Sequence, residues 1–192
     1  CFSDCSSLNT VELGYFVDNT GVNPKYGSIG MCAFNGCPLL SSITIPGSFL
    51  SLGDFAFYGS SIKSIELEEG VTEISPNVIK GDFKTATVTP PNFSYTPTLE
   101  SISIPSTLAR LPEYVFLDTP LNEIIIHGSG LKTIAEGAFK NTVKLRSISL
   151  PESVEQIEDY ANISYHHIIM HHLTAIRTAR EWRCTSRQQA IQ

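Results

Sequence analysis

One pattern repeats along this chain and limits what the chain can fold into. Four stretches begin with Phe, at Phe2, Phe34, Phe93 and Phe139, and each carries apolar residues six, nine and eleven positions later. These three apolar sets are Leu8, Leu40, Leu99 and Leu145; Val11, Ile43, Ile102 and Ile148; and Leu13, Ile45, Ile104 and Leu150. A period of 23 residues between several copies is typical of a solenoid, in which each repeat stacks on the next.

Three further stretches follow the pattern less closely. Copies that start at Phe57 and Phe116 fit after deletion of one residue, and a weaker copy starts at Ile79. The interval from Ile79 to Phe93 is too short for a full repeat, so we expect a truncated coil or a loop there. An ordinary all-β domain gives no reason for Phe, Leu, Ile and Pro to recur in one phase, so we favour the solenoid.

Each repeat contains a short segment in which polar and apolar residues alternate, as in residues 42–45. Side chains of a strand alternate between its faces, so Ile43 and Ile45 are expected to point inward and their polar neighbours outward. One such strand cannot bury its apolar side alone, which predicts a parallel sheet with one strand from every repeat. Ile43, Ile102 and Ile148 should share one buried column, with the repeated Phe filling the core from the opposite wall.

Three motifs carry a resemblance to a known family. IGMCAFNGC from Ile29, closely followed by LLSSITIP, LGDFAFYGSSIKSIEL from Leu52 and IAEGAFKNTVKLRSISLP from Ile134 resemble the BspA-like, or Treponema pallidum-type, leucine-rich repeat. The Ala-Phe pair and the Ser-Ile-x-Ile-Pro strand are the specific parts. The resemblance implies an α/β leucine-rich repeat solenoid, with a parallel β-sheet on its concave face and short helical or irregular segments on its convex face.

The resemblance also sets expected domain limits. Residues 1–161 are expected to form the solenoid, as a fragment of about 6–7 coils that is irregular at 14–28 and 79–92. The remaining residues, 162–192, are an unassigned tail with four arginines, one acidic residue and four of the five histidines. A metal pair at His167 and His171, a basic helix that caps the stack, and a reading-frame error are the three interpretations, of which we favour the last.

Function is implied by the resemblance and not by any catalytic motif. Similar proteins are mostly secreted or surface-attached, which implies a non-catalytic scaffold that adheres to a host matrix or cell-surface protein. An intracellular protein-interaction module of the same fold is the alternative. The chain contains no Gly-rich phosphate loop, paired metal motif or nucleophile elbow, so neither an enzyme nor a cofactor is expected.

Charge and hydropathy exclude two other classes of partner. The formal net charge is -6, whereas nucleic-acid and anionic-membrane binders need clustered Lys and Arg. No apolar run approaches the roughly 20 residues of a membrane helix, so we expect no direct membrane insertion of this fragment.

The outward strand positions form the predicted partner-binding face. They are Thr10, Glu12, Ser42, Thr44, Ser64, Glu66, Ser101, Ser103, Glu123, Ile125, Ser147 and Ser149. The face lacks the Trp, Tyr and Arg that usually anchor a protein interface, so a merely solvated sheet is the favoured interpretation. The insertion near residues 14–28 is a better candidate for a specific contact, through Tyr15, Phe16 and Tyr26, because loops often carry recognition.

Two cysteines occupy the same phase of neighbouring repeats. Cys5 and Cys37 each stand three residues after the repeat Phe, which places them close enough for a disulfide. A small, buried repeat residue is the other interpretation, and we favour it.

Overall fold

The computed structural model describes residues 2–15, 27–75, 96, 98–158, 161 and 168–170. These residues form short strands and tight turns and contain no helix. The strands are β1 (Gly27–Ile29), β2 (Ser42–Ile45), β3 (Phe49–Leu52), β4 (Ser64–Leu67), β5 (Glu73–Ile74), β6 (Ser101–Ile104), β7 (Arg110–Leu111), β8 (Glu123–Ile126), β9 (Thr133–Ile134), β10 (Ile148–Leu150), β11 (Gln156–Ile157) and β12 (Ile168–Met170).

The predicted parallel sheet is present as a main sheet of four strands in the order β2-β4-β6-β8. Its register aligns Ile43 with Ile65, Ile65 with Ile102, and Ile102 with Ile124. Ile43 and Ile102 are buried, and Ile148 is buried in the same hydrophobic core. Ile43 and Ile102 therefore lie in one buried column of the main sheet, as predicted, whereas Ile148 belongs to a strand outside that sheet.

The main sheet passes directly from β4 to β6. Ser64 of β4 aligns with Ser101 of β6 without a strand between them. The weak copy at Ile79 and the whole of the predicted irregular stretch 79–92 lie outside the described residues. β4 and β6 are therefore direct neighbours in the main sheet.

The opposite wall differs from the expected helical or irregular segments. It consists of two further parallel ladders, β1-β3-β5 and β7-β9-β11. Their strands are only two to four residues long, which is too short for alternation to be visible in the sequence. β1 also begins at Gly27, so the end of the predicted irregular stretch 14–28 belongs to a ladder, where Ile29 aligns with Leu52 of β3.

The last ladder joins β10 to β12. Ile148 aligns with Ile168 and Leu150 with Met170, in a parallel pair separate from the main sheet. The backbone of β12 lies within residues 162–192, which the sequence leaves unassigned. Part of that tail is thus paired with the preceding coil.

The phenylalanines of neighbouring repeats stack on one another. The ring of Phe34 stacks between Phe2 and Phe57, with ring centroids 5.7 Å and 5.5 Å away. Phe116 and Phe139 stack in the same way at 5.4 Å. Apart from Phe2, these rings are at most 1% exposed. Burial of each such ring contributes roughly 1.5–3 kcal/mol to folding, so the column is a main source of stability.

Candidate functional site

The outward side chains of the main sheet form two straight rows across its four strands. Pairing places one strand residue beside the next, so that neighbours in a row are about 4.8 Å apart. The first row is Ser42, Ser64, Ser101 and Glu123, and the second is Thr44, Glu66, Ser103 and Ile125. We call these eight residues the sheet face; each is exposed or partly exposed.

The sheet face is polar and carries negative charge. Glu66 and Glu123 are its ionisable members, and none of the eight is basic. The Thr44 hydroxyl donates to a Glu66 carboxylate oxygen at 3.1 Å, and His127 Nε2 lies 2.9 Å from Ser103 Oγ. Ile125 adds one apolar side chain that is 47% exposed.

Four of the predicted face residues lie outside this arrangement. Thr10, Glu12 and Ser147 are exposed but do not belong to a strand. Ser149 is exposed in β10, where it aligns with Ile169 of β12 and not with β8. The structure therefore brings together eight of the twelve predicted residues in one hydrogen-bonded sheet.

Of the three residues predicted for loop contacts, only Tyr15 lies within the described residues. The Tyr15 hydroxyl donates to a Glu68 carboxylate oxygen, directly after β4, while its side chain stays exposed. This hydrogen bond is the main cause that raises the pKa of Tyr15, and the negative charges of Glu68 and Glu66 add to it. Phe16 and Tyr26 lie outside the described residues.

A group of charged residues at the ends of the strands is absent from the predictions. Glu69 accepts hydrogen bonds from the Ser106 backbone N–H at 2.7 Å and from the Ser106 hydroxyl at 2.9 Å. The backbone N–H is the first cause that lowers the pKa of Glu69, and the charge of His127 acts in the same direction. In the sequence, the only signal is that Glu68 and Glu69 follow β4 where Pro and Gly follow β2.

Two features are absent from the described residues. In this part of the chain, no group of three or more His, Cys, Asp and Glu side chains is placed to hold a metal ion. The same part holds no helix with the length and hydropathy to cross a membrane.

Comparison with known proteins places the repeats in a family. The model of the BspA-type leucine-rich repeat region matches residues 1–92 and 86–178, in six copies. No match was found among curated proteins.

Two solved structures are similar to the chain. A leucine-rich repeat protein from Bacteroides ovatus is 28% identical with a TM-score of 0.47, and the match covers 82% of this chain and 41% of that one. A leucine-rich cell surface protein from Faecalibacterium prausnitzii is 21% identical with a TM-score of 0.44, over 71% and 40% of the two chains. The chain thus spans less than half the length of either protein. Because the repeat model matches nearly its whole length, the chain belongs to the BspA-type leucine-rich repeat family.

Proposed function

We propose that this chain is the non-catalytic, protein-binding part of a cell-surface or secreted adhesion protein, and that its protein ligand binds the sheet face. The observation that carries the proposal is the pair of in-register rows. Leucine-rich repeats of this family are generally protein-interaction modules, and the rows give such a module a continuous surface.

The sheet face suits a ligand because it is already ordered before binding. Its backbone groups are paired within the ladders, and its serine and threonine side chains have little rotamer freedom to lose on association. Glu66 and Glu123 favour a ligand segment with Lys or Arg, since charge complementarity selects partners and speeds encounter. Ile125 supplies an apolar contact at the β8 end of the face.

Two substitutions on the sheet face, with a control substitution on the opposite wall, test the site. Purified chain is immobilised and exposed to a panel of purified extracellular matrix and cell-surface proteins. Glu66→Lys and Ile125→Asp should each weaken binding of a positive protein by about tenfold, the effect of losing roughly 1.4 kcal/mol. Glu73→Lys reverses an exposed charge on β5, on the opposite wall of the same coil, and should bind as the wild type does.

Two results argue against the sheet face as the binding site. Unchanged binding by both Glu66→Lys and Ile125→Asp excludes it. A loss of binding in Glu73→Lys that equals the loss in Glu66→Lys assigns the effect to overall charge.

Location is tested separately from binding. An antibody raised against this chain is applied to intact and to permeabilised source cells. A surface protein is labelled on intact cells, as the family resemblance implies. Labelling only after permeabilisation supports the alternative, an intracellular interaction module with the same fold.

A further inference from the structure

The third residue after each repeat Phe has a consistent role in several coils. There, a hydroxyl side chain donates to the backbone carbonyl of the Phe in its own coil, at 2.7 or 2.8 Å. These pairs are Ser60 with Phe57, Thr119 with Phe116, and Thr142 with Phe139. The hydroxyl thus closes the turn locally.

Cys37 occupies the same position but makes a different contact. Its thiol donates to the carbonyl oxygen of Phe2, which lies in the preceding coil, at 3.0 Å. The backbone N–H of Cys5 donates to the same Phe2 carbonyl oxygen, at 3.3 Å, so the two cysteines meet at one acceptor. The Cys37 side chain is therefore directed toward the neighbouring coil at the place where that coil carries its own cysteine.

Backbone hydrogen bonds hold these two turns side by side. The N–H of Phe2 donates to the Ala33 carbonyl and the N–H of Asp4 to the Asn35 carbonyl, both at 2.7 Å. Cys5 and Cys37 follow at matching positions. Neighbouring backbone segments in such a ladder are about 4.8 Å apart. This distance is within the range of roughly 4.4–6.8 Å between the Cα atoms of a disulfide.

We propose that Cys5 and Cys37 are a disulfide-forming site, which links the first two coils when the protein meets a low-molecular-weight disulfide such as oxidised glutathione. The proposal stands on the geometry of the two turns and does not depend on the proposed adhesion function. In the other coils, the third residue after the repeat Phe carries a hydroxyl group and cannot form such a link. These residues are Ser60, Thr96, Thr119 and Thr142.

Accessibility sets the order of the two exchange steps. Cys5 is partly exposed, so its thiolate attacks one sulfur of the small disulfide and releases one thiol, leaving a mixed disulfide on Cys5. Cys37 is buried, and burial raises the pKa of its thiol, so it is a poor first nucleophile. Once beside the mixed disulfide, Cys37 loses its proton, attacks the Cys5 sulfur and releases the second thiol. Two protein thiols are oxidised, and the small disulfide is reduced to two thiols.

The test uses the full chain, first reduced and then incubated with oxidised glutathione. Digestion without reductant, followed by mass spectrometry, should find the Cys5 peptide linked to the Cys37 peptide, and the intact mass should fall by two hydrogen atoms. The thermal unfolding midpoint should rise, because the link closes a loop in the unfolded chain.

Variants separate this link from other pairings of the five cysteines. Cys5→Ser and Cys37→Thr should lack the link, while Cys32→Ser should keep it. Cys37→Thr places at this position the residue found at Thr119 and Thr142, so it should stay folded, and its Cys5 should stop at the mixed disulfide.

Three outcomes would overturn the proposal. The first is a wild-type chain that stops with glutathione on Cys5. The second is a link from Cys37 to a cysteine other than Cys5. The third is equally fast glutathione addition to Cys37 in the Cys5→Ser variant.

Discussion

Gly130, which follows β8, lies against the backbone carbonyl of Ser106 in the preceding coil, so closely that a Cβ atom on Gly130 would overlap the Ser106 oxygen. A similar approach joins Gly47 to the carbonyl of Glu69. At these points the distance between stacked coils depends on a missing side chain. Backbone atoms cannot rotate away as a flexible side chain can, so the contact leaves no room for alanine.

Gly130→Ala should lower the free energy of unfolding by about 1–3 kcal/mol, because the coils must shift apart to admit the methyl group. Urea denaturation followed by circular dichroism measures the change. Gly30→Ala is the matched control, since nothing lies within 4 Å of a Cβ at Gly30. It should stay within about 0.5 kcal/mol of wild type. Equal stability of the two variants would show that the coils tolerate the methyl group.

Glu69→Gln should lower the thermal midpoint at neutral pH and have a diminishing effect as the pH falls. The folded protein holds the pKa of Glu69 below its ordinary value, chiefly through the Ser106 backbone N–H. A depressed pKa contributes stability that is present above the unfolded value, about pH 4.3, and is lost as pH falls through the folded value. The wild type should therefore approach the variant in acid.

Scanning calorimetry from neutral pH into acid measures the difference in thermal midpoint between the wild type and Glu69→Gln. Glu73→Gln removes the same charge from the exposed face of β5, without the contacts to Ser106. If both substitutions lower the midpoint equally at neutral pH, the effect belongs to net charge and not to the hydrogen bonds of Glu69.

Tyr15→Phe should remove a tyrosine whose pKa is raised above its ordinary value, chiefly by the hydrogen bond to Glu68. The neutral Tyr15 hydroxyl donates to Glu68, and its pKa is raised. A raised pKa contributes stability that is complete below the unfolded value, about pH 10, and is lost as pH rises through the folded value. Ultraviolet titration of tyrosinate should show one late-ionising group fewer in Tyr15→Phe than in the wild type, and an earlier ionisation of that group in Glu68→Gln. An unchanged titration in Glu68→Gln would show that this pair is not formed in solution.

The repeat phase was sufficient to predict the main sheet, because a residue that recurs at one position must meet its own copy in the next coil. Ile43 is aligned with Ile65, and Ile102 with Ile124, for this reason. Alternation then predicts which side chains point outward, so the exposed residues of each strand could be derived from the sequence. The second wall could not, because strands such as Glu73–Ile74 are too short to carry an alternating pattern.

The repeat pattern could not predict contacts between residues that are separated by irregular stretches. Glu69 meets Ser106 across 37 residues and Tyr15 meets Glu68 across 53. Neither separation is a multiple of the 23-residue repeat period. The interval after β5 has no fixed phase, so nothing in the sequence showed that β4 and β6 would be neighbours. The charged residues at the strand ends were missed for this reason.

Phe34→Ala should lower the free energy of unfolding far more than Phe2→Ala does. Phe34 is buried with a ring stacked on each side, so its loss leaves a cavity in the core and should cost about 3–5 kcal/mol. Phe2 stacks on Phe34 but is 45% exposed, so its loss should cost about 1 kcal/mol or a little more. Chemical denaturation of both variants compares the two costs. Phe34→Leu keeps most of the side-chain volume and should recover part of the loss. Similar costs for Phe2→Ala and Phe34→Ala would mean that the phenylalanine column does not carry the stacking stability assigned to it.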